Sequence, residues 1–192
     1  MVLFAMSTAV FAQKKDILVI NEYGTCEIVR EVEGSDAADV YKKFKAWLGA
    51  CNMVWNAIPN GDVVNEKLDF TAAFNTKRVY NPFAGWFQQD LSLDGHITIN
   101  GNKGVLKINN MRIRESYAGY GAKIEESAIE DKVNLYNKYN DILKNGPDPT
   151  LSKKDQKDQK KAAKDGIEDL NEMLEKAGEE LGGRLDKLAT IF

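Results

Sequence analysis

Over Leu68–Phe74 and again over Leu91–Ile99 the apolar residues keep to every second position, and that period constrains the fold more than any other feature of the chain. Leu68, Phe70, Ala72 and Phe74 alternate with Asp69, Thr71 and Ala73, and Leu91, Leu93, Ile97 and Ile99 keep one parity. Side chains on a strand point alternately to two faces, so each run predicts a strand with one face in a core and one in water. Gly95 interrupts the second run and predicts a bulge there. Asn100-Gly101-Asn102 supplies a hairpin turn. In the return strand Leu106 and Ile108 are followed by Met111 and Ile113, a change of phase that predicts a further bulge at Asn109-Asn110.

Upstream, Ile17 to Ile20 and Glu27 to Val32 read as two strands broken at Tyr23-Gly24-Thr25. Ser35 is a suitable N-cap, with Asp36 and Asp39 in the first turn where they complement the helix dipole. Val40, Tyr41, Phe44, Trp47 and Leu48 then share one helical stripe that ends near Gly49. Met53 to Ile58 is a short apolar run closed by the turn Pro59-Asn60-Gly61-Asp62. Downstream, Ala128, Ile129, Val133, Tyr136, Tyr139 and Leu143 form a helical stripe ending at Asn145-Gly146-Pro147. Ser152 and Asp155 have capping-box spacing. Ile167, Leu170, Leu174, Ala177, Leu181, Leu185 and Leu188 follow at steps of three and four. Gly178, Gly182 and Gly183 weaken that helix by roughly 1 kcal/mol each relative to Ala and predict a break or frayed end near Gly182. Strand, helix, antiparallel strands and then helices define an α+β protein. We expect an antiparallel sheet of about five strands with a helix on one face, plus C-terminal helices.

With 192 residues, 43% hydrophobic and 29% charged, the chain has material for a real core without disulfides. A net charge of −3 lacks the clustered basic face that phosphate backbones require, so no nucleic-acid partner is expected. Residues Met1 to Ala12 carry no charge and end in Val10-Phe11-Ala12 before Gln13-Lys14-Lys15-Asp16, the pattern of a signal-peptide core and cleavage site. No Lys or Arg precedes the apolar run, so one reading expects the start, at Met1 or Met6, to lie inside a longer signal; the other reading is an N-terminal strand or helix packed on the core. Twelve apolar residues fall short of the about 20 that span a bilayer, so nothing transmembrane is expected. Neither cysteine sits in a lipid-anchor pattern. The expected organisation is a signal remnant over 1–12, an α+β domain over 13–120 and a helical C-terminal extension over 121–192, in a periplasmic or secreted protein.

The segment EVEGSDAADVYKKFKAWLGACN, with Tyr41 and Trp47 six apart on one helix, resembles a Bacteroidetes family of exported domains of unknown function with a TATA-binding-protein-like fold. The run LSLDGHITINGNKGVLKINNMRIR is similar to that family's closing hairpin. The resemblance covers roughly Glu27 to Arg114, and the stretch between Tyr80 and Trp86 departs from the family's pattern. It implies a curved antiparallel sheet with a helix packed on it and supplies no catalytic residue. A fold shared with a DNA-binding protein is no argument for DNA binding.

No arrangement of catalytic or metal-binding residues stands out, so neither catalytic residues, metal nor cofactor is expected. His96 is the single histidine and reads as a plain strand residue. Asp90 and Asp94 share a strand face but lie about 13 Å apart, too far for a glycosidase pair. Cys26 and Cys51 are open to two readings: two free buried thiols, or a disulfide that the chain-entropy relation values at roughly 3 kcal/mol. Tyr80, Phe83, Trp86 and Phe87 crowd a segment in which Pro82 and Gly85 force a loop. They form either an exposed stacking platform for a sugar, lipid or peptide, or a plug at the open end of the core. The run Lys153 to Lys164, interspersed with Asp155 and Asp158 and followed by Asp165, is either a solvated helix face or a patch for a membrane or acidic partner. The leucine stripe after it docks on the domain or on a second copy. The function expected is a non-enzymatic envelope module that binds a partner protein or small ligand, with possible homo-oligomers through the C-terminal helix. The alternative is a hydrolase acting on envelope or dietary polymers.

Overall fold

The computed structural model describes residues 14–51, 54–55, 67–81, 85–117 and 124–191, with backbone alone at 14–15, 54–55, 67–68, 77–81, 85–87 and 117. Its elements are β1 (Ile28–Glu33), α1 (Ala37–Ala50), β2 (Val54–Trp55), β3 (Lys67–Asn81), β4 (Gly85–Asn100), β5 (Lys103–Tyr117), β6 (Ile124–Ala128), α2 (Ile129–Asn145) and α3 (Lys153–Thr190). The protein is α+β. Its open sheet has the order β1-β5-β4-β3-β2, every pairing antiparallel, and β6 joins β5 beside Arg112 to Ser116.

The alternation of Leu91, Leu93, Ile97 and Ile99 does what its period requires, since all four are buried while Ser92, Asp94, His96 and Thr98 face outward. The bulge expected at Asn109-Asn110 is present. Two steps on β4, Ser92 to Asp94, oppose three on β5, Arg112 to Asn109, and Asn110 takes φ +51°. The extra residue restores Met111 and Ile113 to the core side. Gly95 is not a bulge, contrary to expectation. It pairs directly with Phe70, and a Cβ there would overlap the Phe70 ring, so the glycine makes room for an aromatic lying across the strand.

α1 covers one face of this sheet. Its N-cap is Asp36 rather than Ser35: the Asp36 carboxylate accepts from the Asp39 N–H at 2.8 Å, and the Asp39 carboxylate accepts from the Ser35 N–H at 2.9 Å. The Asp39 side chain thus reaches past the N-cap to the residue before it, a variant of the capping box. Val40 and Phe44 settle over Gly104, where a Cβ would collide with both. Trp47 meets Phe70 edge-on at 5.9 Å and donates its indole N–H to the Arg184 carbonyl at 2.7 Å.

α3 closes the core. It runs unbroken over 38 residues, so the break expected near Gly182 does not occur. Gly178 and Gly182 are buried within the leucine stripe, and packing of Leu170, Leu174, Leu181, Leu185 and Leu188 outweighs the modest propensity cost of the glycines. The stripe docks on this chain's own core. Ile17–Ile20 is not a strand either. Lys14–Ile17 forms a 3₁₀ turn, and Ile20 meets Cys26 in a single bridge because Asn21 folds the chain back on itself. The Asn21 side chain accepts from the N–H groups of Tyr23 and Thr25 at 3.0 and 3.1 Å. Leu18 is buried, with Ile17 and Ile20 packed against the same core. The turn Pro59 to Asp62 lies outside the described residues.

Candidate functional site

Helices pack on one side of the sheet, and the parity of the strands then dictates what the other side displays. β3 offers Asp69, Thr71 and Ala73; β4 offers Asp90, Ser92, Asp94, His96 and Thr98; β5 offers Lys103, Val105 and Lys107, then Arg112 and Arg114 beyond the bulge. All are exposed or half-buried. The face is polar and carries both signs of charge.

Most of those charges pair across strands. Asp69 and His96 are direct register partners with Oδ1 and Nδ1 2.7 Å apart. Lys107 meets Glu27 at 2.6 Å, Lys103 meets Glu33 at 3.3 Å, and Arg114 meets Glu126 at 3.8 Å. Exposed pairs of this kind contribute roughly 0–1 kcal/mol each, so they shape the surface more than they hold the fold.

The bulge sets the centre of the face. Its left-handed residue, Asn110, donates through Nδ2 to Asp94 Oδ2, and its Oδ1 accepts from Arg112 Nη2 at 2.8 Å. These three residues, with Thr71, Ser92 and Glu126, line a shallow depression of about 430 Å³. Hydroxyls, an amide, a guanidinium and two carboxylates converge there, a set able to hold a ligand that carries both hydrogen-bond donors and acceptors. Smaller hollows among the described residues include one of about 240 Å³ between Leu18, Val19, Val133 and Tyr136 and one of about 220 Å³ between Arg30, Val32, Leu185 and Leu188.

Asp90 and Asp94 do share the outer face, but each has its own partner. Asp90 accepts from Gln88 Nε2 at 2.7 Å, and Asp94 is held by Asn110. Tyr80 lies in β3, Trp86 and Phe87 lie in β4, and Phe83 lies outside the described residues. The backbone pairs through Tyr80↔Trp86 and Asn81↔Gly85, so the ladder continues to the end of a stretch that departed from the family pattern. Cys26 and Cys51 are both buried and free. The Cys26 N–H donates to Glu130 Oε1 on α2 at 2.8 Å, while Cys51 sits at the end of α1 near Lys187 and Arg184 of α3. Burial pushes both thiols up, Cys26 to about 11 with the Glu130 carboxylate adding to the effect. Among the described residues no three His, Cys, Asp or Glu side chains gather as a metal site, and no helix is long and apolar enough to cross a membrane.

Arg112 and Glu126 were not singled out from sequence, and Asn110 only as a bulge position. The available signal was the phase change at Asn109-Asn110, which puts Arg112 on the same face as Asp94 once the bulge is counted.

No protein-family model and no curated protein matches the chain. Two solved structures resemble it. A TBP-like protein from Parabacteroides distasonis shares 11% identity over 90% of this chain and 97% of that one, with a TM-score of 0.44. A DUF4468 family protein from Bacteroides ovatus shares 12% identity over 83% of this chain and 87% of that one, with a TM-score of 0.41. Both are Bacteroidetes proteins of the kind that the Tyr41–Trp47 helix and the closing hairpin resemble. Likeness at this level says nothing about function.

Proposed function

We propose that this chain is an exported, non-enzymatic binding module of the cell envelope, and that it takes a partner protein or small ligand on the helix-free sheet face around Asp94, Asn110 and Arg112. The observation that carries this reading is the bulge. It turns Asn110 between an aspartate and an arginine at the centre of a face that the helices leave uncovered. A bulge that re-aims a side chain into an open depression is a device for presenting a surface.

Mixed charge across the face suits a partner with both donors and acceptors better than a nucleic-acid backbone. The aromatic end of the β3–β4 hairpin, with Tyr80, Phe83, Trp86 and Phe87, is proposed as a second contact region. Replacing Phe83 and Trp86 with Ala should weaken binding and leave folding largely intact; a large loss of stability would assign them to a plug. The leucines of α3 are already covered by this chain's own core, so a homo-oligomer would use other parts of that helix. Export rests on the pattern of Met1 to Ala12. Intact mass of the protein recovered from periplasmic fractions should show a species beginning at Gln13, and a cytoplasmic species retaining Met1 would contradict export.

A photo-crosslinking residue placed at Ser92 or Thr98 in the producing cell should give a discrete adduct, and one at Lys42 on the exposed side of α1 should give none. Adducts from Lys42 alone, or from no position, would sink the sheet-face reading. One observation favours a hydrolase instead: Asp94 and Glu126 line the same depression. Asp94→Asn with Glu126→Gln would abolish release of soluble fragments from an envelope or dietary polymer if that alternative held. We expect no such release from the native protein.

A further inference from the structure

Read along the chain, the lysines of Lys153–Lys164 look interleaved with aspartates. Wound into α3, they separate. Lys153, Lys154, Lys157, Lys160, Lys161 and Lys164 fall within about 120° of arc at 3.6 residues per turn, and over those turns nothing else shares that arc. Asp155, Asp158 and Asp165 fall on the neighbouring arc. All six lysines are exposed, and among the described residues none is in an ion pair.

The opposite side of these turns is fixed. Ala163 is buried, and Gly166 receives the Tyr139 ring of α2, where a Cβ would crowd it. The Asp148 N–H donates to Gln159 Oε1 at 2.9 Å, and Gln156 Nε2 donates to the Leu151 carbonyl at 2.9 Å, so the α2–α3 connection is bound to α3 away from the lysines. The stripe is therefore a fixed row of cations on a protein whose net charge is −3.

We propose that this stripe docks the protein on a bilayer surface bearing anionic headgroups. The inference is independent of the sheet-face reading. Three features select a lipid surface over a folded protein. The stripe holds no apolar residue from which a dry interface core could be built. Every cation is a lysine, a point charge on a flexible stem, and none is an arginine whose planar fork would read one shaped carboxylate or phosphate. The row lies on a convex helix rather than in a groove, so its complement is a plane of mobile charges. Juxtamembrane lysine clusters bind anionic leaflets through this additive attraction.

The test is co-sedimentation of the full chain with phosphatidylcholine vesicles containing phosphatidylglycerol, compared with phosphatidylcholine alone. The native protein should bind only the anionic vesicles and be released near 1 M salt, where the screening length falls to about 3 Å. The variant Lys157→Gln, Lys160→Gln, Lys161→Gln, Lys164→Gln should bind about 600-fold more weakly, since each of the four lysines near the surface contributes about fivefold. Glutamine keeps helix propensity, so its melting should match the native chain. Lys42→Gln with Lys45→Gln on α1 should bind as the native chain does. The proposal is overturned if anionic vesicles do not bind, if the stripe variant binds as well as native, or if soluble polyphosphate at equal charge binds more tightly, which would assign the stripe to a free polyanion.

Discussion

Phe70 and Gly95 are register partners, and each is intelligible only through the other. The ring lies across the glycine, is almost wholly buried, and presents its edge to Trp47. Gly95→Ala should therefore cost about 1–3 kcal/mol in urea unfolding through overpacking. Gly95→Ala combined with Phe70→Leu should cost less than the sum of the two single changes, because the overlap is gone. From sequence Gly95 reads as a bulge, since a glycine in an alternating run looks the same whether it bends its own strand or admits a neighbour's ring. Cys26 supplies a prediction in pH. Its thiol ionises near 9 when unfolded and about 11 when folded. Between those values the unfolded chain binds fewer protons, so stability falls as pH rises through that window. The native protein should lose stability from pH 9 to 11 relative to Cys26→Ala, and its thiols should resist alkylation at neutral pH until it is unfolded.

At the scale of elements, what the sequence revealed depended on how much packing each element does. α1 and the β4–β5 hairpin were legible because their apolar stripes are long and regular. β6, with sequence IEESA, has no alternation and is a strand only because β5 offers it an edge. Ile17–Ile20 showed the reverse, an apolar run that packs on the core as a turn and a single bridge. The α3 glycines misled because propensity is a small term beside a buried leucine stripe. The bulge is the element on which the site depends. Asn110 at φ +51° is in the left-handed region, which Asn and Gly tolerate and β-branched residues do not. Asn110→Gly should stay within about 1 kcal/mol of native, since the side-chain bonds it loses are exposed. Asn110→Val should cost about 2 kcal/mol. Deleting Asn110 should abolish the fold, because a one-residue slip turns Met111 and Ile113 outward. Circular dichroism and urea unfolding would separate the three. Arg112 and Glu126 were invisible as site residues for the same reason, since their place opposite Asp94 exists only after the bulge and the β5–β6 pairing are set.

At the scale of the whole molecule, one core joins the sheet with α1, α2 and α3 among the described residues. Trp47 hydrogen-bonds to the Arg184 carbonyl, the Arg184 guanidinium stacks 3.5 Å over the Phe74 ring, and Leu170 to Leu188 lie in the same cluster as Phe44 and Leu91. A chain ended at Leu151 should lack dispersed amide resonances and cooperative unfolding, because Trp47 and Phe74 would lose their cover. All of that apolar investment falls on one face. The other is built from exposed pairs that contribute little to folding, as our proposal that the helix-free face serves binding requires. The most direct measurement is urea unfolding of the full chain carrying Asp94→Ala and Arg112→Ala, read beside its Thr98 crosslink. Stability should stay within about 1 kcal/mol of native while the adduct is lost. An unfolded or strongly destabilised variant would make the face part of the scaffold, and an undiminished adduct would place binding elsewhere.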